Sequence, residues 1–79
     1  MANRVQECVS IMKKLRDELH IPVDDPGMKE LSRRMSMYIK HGNVWAGYIA
    51  IPSIKRHLHV IFPNNPAMEI RVVLKAVGQ

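Results

Sequence analysis

A single cysteine, Cys8, is the first scarcity in this sequence. It excludes an intramolecular disulfide, whereas a secreted domain this small would carry several. The expected setting is therefore intracellular and reducing, in the cytoplasm or in the nucleus or nucleoid. Long apolar runs are missing too. No stretch approaches the roughly 18 residues that would cross a bilayer, and the opening MANRVQECVS lacks the apolar centre of a secretion signal. Neither export by that route nor membrane insertion is expected. Aromatic residues number four, Tyr38, Trp45, Tyr48 and Phe62, and no glycine–aromatic RNA-recognition signature surrounds them.

Catalytic vocabulary is equally sparse. There is no glycine-rich phosphate loop. The serines, Ser10, Ser32, Ser36 and Ser53, lie in no nucleophile-elbow context. Cys8 has no histidine at a diagnostic spacing, and its place on an apolar helical arc makes it a core thiol. Asp24 and Asp25 read as turn and helix cap rather than as an acid–base pair. His57-x-His59 offers two imidazoles from one strand face, but a zinc site needs three or four ligands. The expectation is a non-enzyme with no catalytic residue, no metal, no cofactor and no small-molecule substrate.

Acidic residues become scarce past residue 27. Residues 1–27 hold four Lys/Arg (Arg4, Lys13, Lys14, Arg16) against five Asp/Glu (Glu7, Asp17, Glu18, Asp24, Asp25), net −1. Residues 28–79 hold eight Lys/Arg against only Glu30 and Glu69, net +6, which brings the chain to +5 with a pI near 9.8. A surface of that kind attracts polyanions: nucleic acid, anionic membrane or an acidic protein face. The 79 residues suit one small basic domain over 1–79. A domain so short buries only about 60–65% of the surface its unfolded chain exposes, so a partner or a second copy would add to its stability.

Periodicity predicts the elements. Residues 3–20 form a helix capped by Asn3, with Val5, Cys8, Val9, Met12, Leu15 and Leu19 inside one arc of about 120°. Its Lys13–Asp17 and Lys14–Glu18 spacings make it self-neutralising, hence scaffold. After IPVDDPG, Asp25 as N-cap and Pro26 at the first position open a second helix that stops at Gly42. Met28, Leu31, Met35, Tyr38 and Ile39 share an apolar arc, and Lys29, Arg33 and Lys40 cluster on the opposite side. The period then changes to two over Val44–Ile51, Arg56–Phe62 and Ala67–Val77. Short connections, the second being PNNP, make these an antiparallel meander. The expected fold class is α+β in the order ααβββ, two N-terminal helices packed on one face of a three-stranded sheet.

Alternation assigns Ile49, Ile51, Leu58, Val60, Phe62, Met68, Ile70, Val72, Leu74 and Ala76 to the core with both helical arcs. Tyr48, His57, His59, Ile61, Glu69, Arg71, Val73 and Lys75 point outward. A loop over 63–67 would set His59 opposite Arg71. Trp45 is expected as a half-buried anchor at the helix–sheet junction. The six methionines fall mostly on core arcs as adaptable packing.

Two surfaces follow. Lys29, Arg33, Arg34 and Lys40, extended by Lys55 and Arg56 in the first hairpin, would contact nucleic-acid phosphates. Against this stands a plain solvated helix face. Tyr48, His59, Arg71 and Lys75 form a second surface, mixing rings with cations; there the plain reading is an exposed antiparallel face. IFPNNP after a strand, with a tryptophan strand before it, resembles the meander of ubiquitin-conjugating domains. The counterpart of their catalytic cysteine region is absent and a second helix is inserted, while a winged helix would require a third; no family is assigned. The expected function is a non-enzymatic module binding RNA or DNA through phosphates. The alternative is a protein–protein interaction or assembly subunit, with a homodimer or an acidic protein as partner. Binding to a membrane surface would turn the apolar helical arc to lipid and leave the sheet uncovered, so no membrane partner is expected.

Overall fold

The structure is a computed structural model and describes residues 3–76. The chain adopts the ααβββ order: α1 (Arg4–Leu19), α2 (Pro26–His41), β1 (Trp45–Ile51), a 3-10 turn (Pro52–Ile54), β2 (Arg56–Phe62) and β3 (Arg71–Ala76). The sheet is an antiparallel meander with β2 in the middle. The caps are those their residue types favour. Asn3 Oδ1 accepts from the backbone N–H of Val5 and Gln6 at 3.0 and 3.2 Å. Asp25 caps α2 and Pro26 occupies its first turn. Gly42, at φ 65°, closes α2 in the left-handed conformation that glycine adopts without penalty.

Asp25 does more than cap. One carboxylate oxygen accepts from Gly27 N–H at 2.7 Å, and the other from Ser53 N–H at 2.9 Å. The buried side chain therefore ties the start of α2 to the β1–β2 turn. Burial alone would raise its pKa. The hydrogen bonds from Ser53, Gly27 and Met28 outweigh that and hold the carboxyl below its ordinary value. Gly27 allows the approach: a Cβ there would sit 2.2 Å from the Ala50 carbonyl oxygen.

One cluster forms the core, and Ile21, Met28, Leu31, Ile51, Leu58 and Val60 are sealed in it. Cys8 and Leu15 bring α1 into the same cluster. Ile21, in the interhelical turn, is a core residue that periodicity did not identify. Val5, Val9, Ile39 and Met68, expected inside, are exposed. The arc of α1 is covered only along its Cys8–Leu15 side. Its ion pairs are Arg4–Glu7 and Arg16–Asp17 rather than those expected from Lys13 and Lys14.

The third strand corrects the expected register. It starts at Arg71, not Ala67, and pairs His59 with Val73 and Ile61 with Arg71. The donors of the preceding segment are taken elsewhere. Ala67 N–H goes to Asn65 Oδ1 at 2.9 Å, Met68 N–H to the Asn65 carbonyl at 3.0 Å, and Ile70 N–H to Glu7 Oε2 at 2.7 Å. The slip is by two residues, so the side chains from Arg71 to Lys75 keep the faces expected of them, whereas Met68 and Glu69 precede the strand and lie on neither face. Val77 and the side chain of Ala76 lie outside the described residues.

Candidate nucleic-acid interface

Both helices lie on one side of the sheet, which leaves its other face without a covering element. Register places three rows there: Ala46–Ile61–Arg71, Tyr48–His59–Val73 and Ala50–His57–Lys75. None of these residues is acidic. The middle row carries the aromatic feature. Tyr48 and His59 stand opposite each other, ring centroids 4.7 Å apart and planes 20° apart, a stacked pair. Tyr48 is 62% exposed, so one face of this stack is open to solvent. Arg71 and Lys75 flank it from edge strand β3, and among the described residues no carboxylate lies within ion-pair distance of either. His57, opposite Lys75, belongs to the same surface, as strand alternation marked it.

The helical cations are differently placed. Lys29, Arg33 and Lys40 form the exposed stripe of α2 that the spacing requires. Glu30 draws off part of its charge, pairing with Arg33 one turn on and with Arg34 at 3.2 Å. The spacing of Glu30 to both arginines was a legible signal that went unused. Arg34 is a packing residue. Its guanidinium lies 3.7 Å over the Trp45 ring, and its Nε is buried without a well-aligned hydrogen bond. Trp45 is half-buried at the helix–sheet junction, with its ring against Gly47.

Lys55 and Arg56 are exposed at the turn that Ser53 ties to Asp25, beside the start of α2. The ten residues singled out from the sequence thus fall into three groups: an open sheet face, a helix stripe and a hairpin tip. The first two groups meet only at the edge of β1, where Tyr48 and Arg34 line one pocket together with Glu30 and Trp45.

The Cys8 thiol is buried, and burial pushes its pKa up, reinforced by the charge of Glu7 and opposed by Arg4. Among the described residues, no three His, Cys, Asp or Glu side chains converge on a metal position. No helix among them is long and apolar enough to cross a membrane. Comparisons with protein-family models, with curated proteins and with solved structures each returned no match.

Proposed function

We propose that this chain is a non-enzymatic module that binds single-stranded nucleic acid on the open face of its sheet. The observation that carries the reading is the Tyr48–His59 stack at the centre of an acid-free surface flanked by Arg71 and Lys75. A base stacking on such a ring gains about 1–3 kcal/mol whatever its identity. The two flanking cations take the phosphates on either side, and each contact releases counterions. A flat face of rings suits unstacked bases better than a duplex, whose bases are already stacked. Lys29, Lys40, Lys55 and Arg56 do not touch such a ligand, but their charge raises the local potential and speeds encounter.

Fluorescence anisotropy of labelled single-stranded RNA, single-stranded DNA and duplex DNA across a salt series tests this. Single strands should bind more tightly than duplex. Tyr48→Ala should weaken single-strand binding about tenfold, and Arg71→Glu with Lys75→Glu should flatten the log–log salt slope by roughly two. Binding untouched by all three substitutions would sink the proposal. Ile61 and Val73 on the same face support a second reading, a homodimer through the sheets. A dimer mass in light scattering that reverts to monomer in Val73→Lys would replace the first reading with that one.

A further inference from the structure

Among the described residues, four of the nine large exposed apolar side chains gather in one place. Val5, Val9, Val23 and Ile39, between 38% and 69% exposed, all line one groove between α1 and α2. Met12, Met28 and Met35 contribute to its walls and floor. From Val5 to Arg16 the groove follows α1 for about 16 Å, three helical turns. Three methionines give it a lining that reshapes around a guest.

The charged residues that line it, Lys13 and Arg16, are both cationic. Lys13 and Arg16 stand along α1, although Arg16 also reaches Asp17. On α2 the edge is Ser32 and Ser36, and helical spacing places Lys29 and Lys40 within about 40° of Ser36, while Arg33, about 60° away, is paired with Glu30. No lining residue is acidic.

We infer that this groove receives an amphipathic, acidic helix from a protein partner. An apolar trough of helical length takes the apolar face of a helix. Cationic rims on both sides select a guest whose flanks are glutamate and aspartate. A second copy of this chain is the wrong guest. A two-fold contact through the groove would bring two surfaces of the same, cationic sign together. The inference is independent of the sheet-face proposal, because the groove lies on the far side of the helices from the sheet. It gives the α2 stripe a role as the rim of a binding groove rather than as a phosphate track.

The test uses the full chain and a labelled amphipathic helical peptide with leucines on one face and glutamates flanking them. A second peptide carries lysine at every glutamate position. The acidic peptide should bind and the basic one should not. Val9→Asp, at a 60% exposed position, should weaken binding about tenfold or more without altering thermal stability. Lys29→Glu with Lys40→Glu should weaken it further at low salt and less at high salt. Equal binding of the two peptides, or indifference to Val9→Asp, overturns the inference. A dimer that Val9→Asp dissociates overturns it in favour of a second copy. Binding to anionic vesicles that Val9→Asp abolishes, with no peptide binding, overturns it in favour of a lipid surface. Tyr48→Ala should leave peptide binding intact, and Val9→Asp should leave nucleic-acid binding intact, so failure of one proposal is distinguishable from failure of the other.

Discussion

The α2 helix carries four cations, Lys29, Arg33, Arg34 and Lys40, and the open sheet face two, Arg71 and Lys75, yet number is not what distinguishes them. On α2 one carboxylate, Glu30, is shared by Arg33 and Arg34, and Arg34 is further held against Trp45. On the sheet face Arg71 and Lys75 have no acid among their row partners, and two stacked rings lie between their rows. Net charge counts both surfaces alike. What a ligand meets depends on which cations are already paired and on what stands beside them.

The largest effect is expected where the two surfaces are held apart. Gly27 lets α2 touch β1, and a Cβ there would collide with a backbone oxygen that has no room to move. Gly27→Ala should cost about 3 kcal/mol in urea denaturation, the upper range for overpacking a tight contact. Both surfaces should then weaken together, because α2 and the sheet lose their common seat. An unchanged midpoint would mean that the helix does not approach the strand so closely.

Asp25 should give a smaller and pH-dependent effect. Its folded pKa is depressed, so the unfolded chain binds its proton more tightly. The stability it contributes is present above its unfolded pKa of about 3.9 and is lost as pH falls through the lower folded value. Asp25→Asn should cost about 2 kcal/mol at neutral pH, from a weakened cap and a weakened cross-link to Ser53. The difference between the two proteins should shrink below about pH 4. A constant difference down to strong acid would count against a carboxylate at this junction.

The smallest effect sharpens the comparison itself. Glu30→Gln frees Arg33 and Arg34 on an exposed helix and should alter stability by less than about 0.5 kcal/mol. It should leave the salt dependence of nucleic-acid binding unchanged, because the ligand sits on the sheet face. A log–log slope steeper by up to about two would mean that the stripe becomes a phosphate surface once it is unpaired.

Much of this was legible before any coordinates. Caps and stops, Asn3, Asp25, Pro26 and Gly42, act through their nearest neighbours and can be read one turn at a time. The outer sheet face was legible as well, even though the third strand starts four residues later than its alternation suggests. Two-residue periodicity survives a slip of two. The start of β3 was not legible. Met68 and Ile70 continue the pattern of Val72 and Leu74 without a break, and the competitor for the Ile70 N–H is Glu7, 63 residues away. The apolar arc of α1 was visible, but not which side of it the rest of the chain would cover.

Composition and periodicity by themselves determined the helices, the strands, the two faces of the sheet and the excess of positive charge, because each depends on residues within a few positions of one another. Tertiary structure alone decided that Val5 and Val9 border a groove while Cys8 and Leu15 enter the core. It also decided that Arg34 is held by Trp45, that Ile70 is held by Glu7, and that the cations divide between two opposite sides of the sheet. Those outcomes turn on which distant groups meet, and contact at a distance is set by how the elements pack, not by the spacing of residues along any one of them.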